Sequence, residues 1–251
     1  MVEIYRRRIQ IAPVGFEVDR VVIPAIKEKA EKVYLMVHKD RSKDKATKYA
    51  TAIQRKLKAK NIETELVYCD WENIEEITRV ARDLILKESS NEVAINLASG
   101  SKNHAIGLDR ACMTFRKRKH IHPFYPEAEK WTAWKYPKQQ STGVKKIKQI
   151  PIHRIIVPEP ELTVALKAIK QDAVDIPMHK GKKGVKKKDL AKSLYGDSSK
   201  VNLTKLQRNI TQKLEKTWRA VEIIQVGQSD WISLTDEGKY LRYVLKHEET
   251  Y

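Results

Sequence analysis

The heptapeptide Asn96-Leu97-Ala98-Ser99-Gly100-Ser101-Lys102 lies between an apolar run, Val93-Ala94-Ile95, and a helical pattern that opens near Asn103. A short buried strand that ends in Ser-Gly-Ser-Lys and turns straight into a helix gathers backbone N–H groups, two hydroxyls and an ammonium at a helix amino end. There the helix dipole favours an anion, and a phosphate is the simplest guest. A plain strand-to-helix turn capped by Ser101 or Asn103 accounts for the same residues. The spacing is neither a Walker A nor Gly-x-Gly-x-x-Gly, so the loop points to neither a nucleotide triphosphatase nor a dinucleotide dehydrogenase.

Working outward, strand and helix patterns alternate. Arg8 to Pro13 reads as a strand, Val14 to Asp19 as a connection, and Asp19 as the N-cap of a helix through Lys29. Val33 to Val37 is a buried strand. A helix over 43–60 places Ala46, Tyr49, Ala50, Ile53 and Leu57 on one face. Ile62 to Tyr68 is a third strand, followed by a helix carrying Ile74, Ile77, Ala81 and Leu84. Glu92 to Asn96 is the fourth strand, a helix runs from Asn103 to Arg118, and His120 to Tyr125 is the fifth strand. Such alternation predicts an α/β fold with an open, mostly parallel sheet, whose ligands sit beyond the carboxyl ends of the strands. The connections Pro13 to Asp19 and Leu97 to Lys102 both leave carboxyl ends. In sheets of this kind the first and fourth strands are often neighbours, which would bring the two loops to one pocket.

From Pro126 to Ile156 the pattern changes. Trp131, Trp134 and Tyr136 interleave with Lys130, Lys135 and Lys138, and Val144, Ile147, Ile150 and Ile152 then step through a Lys-rich segment. Rings among lysines can stack bases, but the reading favoured here is a β-hairpin that packs its rings on the sheet or on a partner subunit. Pro151, Pro158 and Pro160 punctuate a boundary, dividing the chain into 1–156 and 157–251.

The second part reads as an α+β winged helix-turn-helix. Leu162, Ala165, Leu166 and Ile169 mark a first helix, and Lys188 to Tyr195 a second that stops at Gly196. A long third helix runs to about Trp218 with Leu203, Leu206, Ile210 and Leu214 inward. Val221 to Val226 and Trp231 to Leu234 form a hairpin wing, and Thr235-Asp236-Glu237-Gly238 opens a last helix. Lys187, Lys188, Lys200, Thr204, Lys205, Arg208, Asn209 and Gln212, with Lys216 beyond them, are residue types that reach phosphates and base edges of double-stranded DNA. The run from Lys180 to Lys188 reads as a glycine-loosened polybasic loop beside the second helix. An exposed charged helix face also suits a module that contacts protein.

The composition sets limits on function. The 251 residues are 41% hydrophobic and 33% charged, with no apolar run long enough for a membrane helix. Arg6-Arg7-Arg8 is followed by Gln10, Pro13 and Glu17, which is not a signal-peptide pattern, so a cytoplasmic protein with no membrane partner is expected. Cys69 and Cys112 lie far apart and read as core thiols, and His120 and His122 do not cluster with them. No metal and no cofactor is expected. The net charge of +18 favours a polyanionic partner, and +13 of it falls in residues 1–156, so one DNA-binding element does not account for it.

With both loops and the second part placed, the chain resembles the CARF family, CRISPR-associated Rossmann-fold sensors, in the arrangement that carries a C-terminal winged helix. The resemblance rests on Ala12-Pro13-Val14-Gly15-Phe16-Glu17-Val18-Asp19-Arg20 and on Asn96 to Lys102. The latter is similar to the family's Asn-x-x-Ser/Thr-Gly-x-Lys/Thr loop, with Ser101 where a second glycine is common. The resemblance implies a Rossmann-like domain that pairs as a homodimer and shares a pocket for a cyclic oligoadenylate, often cyclic tetra-adenylate. Gly15, Phe16, Ser99, Gly100, Ser101 and Lys102 would be the binding residues. Binding would change the arrangement of paired winged helices and so regulate transcription. An enzymatic alternative is slow metal-free cleavage of the ring, with Lys102 supplying charge, Ser99 or Ser101 orienting the phosphate and His104 as a possible base. A third reading keeps the regulator and replaces the ligand with another phosphorylated metabolite.

Overall fold

The alternation of apolar residues in the first half decides a three-layer arrangement. In a computed structural model, described for residues 5–115, 119–132, 135, 138–151 and 158–245, the chain forms two compact units, Met1–Ile156 and Val157–Tyr251.

The first unit is built on β1 (Arg8–Pro13), β2 (Lys32–His38), β3 (Glu63–Cys69), β4 (Glu92–Asn96), β5 (Ile121–Trp131) and β6 (Ser141–Gln149), joined in one sheet of order β3-β2-β1-β4-β5-β6. The first five strands are parallel, and β6 returns antiparallel to β5 with a bulge between Glu127 and Ala128. Successive side chains of a strand face opposite sides. Ile9, Ile11, Tyr34, Met36, Val93 and Ile95 therefore pack against α3 (Ile74–Lys87) and α4 (Lys102–Met113) through Ile77, Ala81, Leu108 and Ala111. Ala12, Val33, Leu35 and Val37 face the other way, onto α1 (Asp19–Lys27) and α2 (Thr47–Lys58) through Val21, Val22, Ile53 and Leu57. Cys69 and Cys112 are buried free thiols.

Four local expectations are corrected. Val18, not Asp19, is the N-cap of α1, because Asp19 already has helical backbone and turns its carboxylate to the Gly143 N–H and the Lys56 ammonium. The helix expected over 43–60 starts only at Thr47, since turns tied by the Asp44 carboxylate precede it. The helix expected to reach Arg118 ends at Met113. The fifth strand runs on to Trp131, because β6 pairs with its whole outer half. Trp134, Tyr136 and Ile152 lie outside the described residues.

The second unit carries α5 (Pro160–Gln171), β7 (Val174–Asp175), β8 (Lys183–Lys186), α6 (Lys187–Tyr195), α7 (Lys200–Leu206), β9 (Val221–Val226), β10 (Ser229–Leu234) and α8 (Asp236–Val244). The strands form an antiparallel sheet of order β7-β8-β10-β9. Gly196 ends α6 in the left-handed region at φ 87°, and Ser199 caps α7 by accepting the Asn202 N–H. The helix continues past Leu206 through two π-type turns, Gln207–Thr211 and Lys213–Thr217, keeping Leu206, Ile210 and Leu214 in the core.

The polybasic run is not a free loop. Lys183–Lys186 pairs with β10, because Gly184 leaves room for the Ile232 carbonyl and Val185 is buried. Lys182 and Lys187 reach the Glu222 and Asp230 carboxylates at 2.8 and 3.3 Å.

Candidate functional site

Because β1 and β4 are parallel neighbours, with Ile11 opposite Ile95, their carboxyl ends open side by side. The two loops that leave them touch backbone to backbone. A Cβ on Gly15 would lie 2.7 Å from the Gly100 nitrogen and 2.9 Å from its Cα. Gly100 sits at φ +81°, and a Cβ there would meet the Pro13 Cβ at 2.8 Å. Neither position has space for another residue, so the approach of the loops is written into the two glycines.

Buried Asn96 secures the crossing. Its Nδ2 donates to the Arg20 carbonyl at 2.8 Å and its Oδ1 accepts the Ala98 N–H at 3.0 Å. Ser101 then caps α4, with its Oγ accepting the His104 N–H at 3.3 Å while its own N–H donates to His104 Nδ1 at 3.2 Å. This is a reciprocal capping box with His in place of the usual Glu or Gln. His104 is 1% exposed, and burial pushes its pKa down to about 4, so at neutral pH the ring is uncharged and serves the cap.

Gly100, Ser101 and Lys102 are exposed, and Lys102 makes no ion pair among the described residues. Ser99 is buried, and its Oγ has no hydrogen-bond partner among the described residues. Phe16 is half-buried, its ring centroid 5.5 Å from that of Tyr49. The six expected binding residues are therefore brought together at one edge of the sheet.

Sequence reasoning missed the residues that fill the amino end of α1. Gln139 Oε1 accepts the N–H groups of Val18 and Asp19 at 3.0 and 3.2 Å, Gln140 donates its N–H to the Phe16 carbonyl, and Tyr49 donates to the Lys138 carbonyl. Residues 138–140 thus occupy this helix end, whereas Gly100, Ser101 and Lys102 at the amino end of α4 are exposed and face no such occupant among the described residues. Glu17 and Arg20 form a buried pair at 2.9 Å beneath this turn, with Ser141 donating to Glu17 and the guanidinium 5.3 Å from the exposed Trp131 ring. The loop after β2 was also overlooked. It brings exposed Arg41, Lys43 and Lys45 to the carboxyl edge, which the parallel pairing of β2 with β1 could have revealed.

On the second unit, Lys200, Val201, Thr204, Lys205, Arg208 and Asn209 line one open hollow of about 490 Å³ on α7 and its continuation. Lys205 lies over the Tyr195 ring at 4.8 Å. Gln212 and Lys188 are exposed outside that hollow, and Lys187 is held by Asp230. Among the described residues no group of three His, Cys, Asp or Glu side chains could hold a metal ion, and no helix is long and apolar enough to cross a membrane.

A family model described as "HFX_2341_N:-like, N-terminal" matches residues 8–131. The chain is 27% identical over 188 residues to the uncharacterized protein MJ1513 of Methanocaldococcus jannaschii, covering 65% of this chain and 56% of that one. The chain thus spans little more than half the length of this curated relative. Among solved structures it is similar to Can2 from Sulfobacillus thermosulfidooxidans in complex with cyclic tetra-adenylate, at 10% identity and a TM-score of 0.41, covering 92% of this chain and 77% of that one. It is also similar to Enterococcus italicus Csm6 bound to cyclic hexa-2'-fluoro-hexa-dAMP, at 13% identity and a TM-score of 0.39, covering 52% of this chain and 36% of that one.

Proposed function

We propose that the protein is a ligand-responsive, DNA-binding transcription regulator. Residues 1–156 act as a homodimeric sensor of a cyclic oligoadenylate, and residues 157–251 as a winged helix-turn-helix that grips duplex DNA. The observation that carries the reading is the backbone contact of Gly15 with Gly100, which sets exposed Gly100, Ser101 and Lys102 and the amino end of α4 beside the loop after β1. A phosphodiester is the chemistry that such a place favours. The resemblance of both loops to the CARF family supplies the finer ligand class, with cyclic tetra-adenylate as the first candidate. In this reading Lys102 pairs with a phosphate, Ser99 and Ser101 offer hydroxyls, and Phe16 borders a base.

The DNA half rests on the exposed arc of Lys200, Thr204, Lys205, Arg208 and Asn209, with Lys188 and Gln212 beside it. Ligand regulates DNA affinity to the extent that it binds one arrangement of the paired modules better than the other. The ring-cleaving alternative asked His104 to act as base. That imidazole is engaged in the α4 cap and buried, so the alternative gains nothing from it.

The test is calorimetric titration of the full chain and of Lys102→Ala with cyclic tetra-adenylate, beside gel shifts of a duplex pool with and without the ring. Saturable binding at one ring per two chains, weakened about tenfold or more by the substitution, is expected. A folded protein that ignores the ring overturns the sensor half. One that retains no duplex at low salt overturns the DNA half.

A further inference from the structure

The sheet carries a cavity near the amino ends of its strands, away from the glycine loops. On the face that meets α1, Gln10 stands opposite Ala94, and Ala94 opposite His122. Beyond Lys27 the chain leaves α1 with Glu28 and Ala30 as one wall, and β6 supplies Ile147 and Gln149 as the other. A cavity of about 310 Å³ stays open between them. That volume lies at the lower end of the roughly 300–1,000 Å³ typical of small-molecule sites. The space exists because Ala94 and Ala30 are small where a larger side chain would close it.

The polar groups around it are arranged and balanced. His122, with its side chain 45% exposed, bonds through Nε2 to Glu92 Oε2 at 2.7 Å, and Arg6 holds the other oxygen of that carboxylate at 2.9 Å. Glu92 is thereby neutralised, and its pKa is held below the usual carboxylate range by the hydrogen bond from His122. His122 Nδ1 keeps a free hydrogen-bonding position among the described residues. Arg8 donates through Nε to the Lys29 carbonyl, and neither Arg8 nor Glu28 makes an ion pair among the described residues.

We propose that this cavity binds a neutral, planar heterocycle of nucleoside size, at a site separate from the glycine loops. Apolar atoms of Ala94, Phe124 and Ile147 reward a flat ring, while a guanidinium donor, a carboxylate acceptor, an imidazole and the Gln149 amide match edges that both donate and accept. The Arg8 guanidinium is offset by the carboxylate of Glu28, and that of Arg6 by the carboxylate of Glu92, so the site offers no net attraction to a polyphosphate. The proposal does not rest on the reading of the two loops.

The test titrates the full chain, labelled at Ala and Ile methyl groups, with adenosine, guanosine, cytidine and uridine, each to about 5 mM. At least one nucleoside is expected to shift the Ala94, Ala30 and Ile147 methyls saturably. The response should be unchanged in Lys102→Ala and about tenfold weaker in Ala94→Leu. Methyls that stay still with all four nucleosides, shifts centred on Ala98 and the glycine loops, or shifts undiminished in a folded Ala94→Leu overturn the proposal. Should Ala94→Leu fail to fold, the location of the shifts in the unsubstituted chain decides the matter alone.

Discussion

Gln139 and Asp19 hold one another twice across the edge of the sheet. The Gln139 Oε1 accepts the Asp19 N–H at 3.2 Å, and the Gln139 Nε2 donates to the Asp19 carboxylate at 3.2 Å. The same Oε1 accepts the Val18 N–H at 3.0 Å, so one side chain 120 residues away does what an N-cap Ser or Asp would do locally. Replacing Gln139 with Ala leaves two helix N–H groups without their acceptor. It should lower stability by about 1–2 kcal/mol, read as a shift in the urea midpoint at constant slope. An unchanged midpoint would mean that water serves the helix end equally well.

The two glycines of the loop crossing differ from other glycines in what surrounds them. Gly100→Ala adds a Cβ at φ +81° and 2.8 Å from Pro13, and Gly15→Ala drives one to 2.7 Å from the Gly100 nitrogen. Each should cost about 2–3 kcal/mol, from the left-handed backbone and the clash with the Pro13 ring in the first case and from backbone displacement in the second. Gly196→Ala, also left-handed at φ +87° but with nothing within 4 Å, should cost only about 1 kcal/mol. Chemical denaturation of the three variants checks the order, and equal costs would show that crowding at the crossing is immaterial.

What was legible in the sequence follows from the range of the interactions involved. Ile9, Ile11, Tyr34, Met36 and Ile95 announce buried strands because both faces of a parallel sheet are covered, and the one-sided stripe of Tyr49, Ile53 and Leu57 announces a helix. Ser101 was legible as a cap because its partner His104 is three residues away. Gln139 was not, because nothing local separates a Gln that caps a distant helix from one that faces water. The lysines of 180–188 read as a loop since the charge pattern hid Gly184 and Val185, whose inward placement depends on the β10 carbonyl of Ile232. The cavity beside His122 was invisible for the same reason, as it depends on where β6 diverges from the end of α1.

Burial of His104 ties stability to pH. Its pKa falls from 6.5 to about 4 in the folded chain, so between those values the unfolded chain holds a proton that the folded chain does not. The favourable contribution of the neutral ring is therefore complete above about pH 6.5 and is lost as pH falls toward 4, by up to about 3 kcal/mol. His104→Gln keeps a side chain that can reach back to the Ser101 N–H and removes the titration. Urea denaturation from pH 7.5 to 4.5 should show the stability of the unsubstituted chain falling more steeply than that of the variant. Parallel curves would mean that the imidazole titrates alike in both states.

The basic residues of the second unit should not count equally toward DNA. Arg208 is exposed in the hollow it shares with Lys205 and Asn209, while the Lys187 ammonium lies 3.3 Å from the Asp230 carboxylate on a side chain only 23% exposed. A phosphate that engages Lys187 must first displace that partner, whereas Arg208 meets DNA without such competition. Arg208→Ala is therefore expected to weaken duplex binding by about tenfold and to reduce the slope of log affinity against log salt by about one. Lys187→Ala should change both by much less. Fluorescence anisotropy over a salt series measures the two slopes, and equal losses in the two variants, or an Arg208→Ala slope that matches the unsubstituted chain, would refute this ranking of the basic residues.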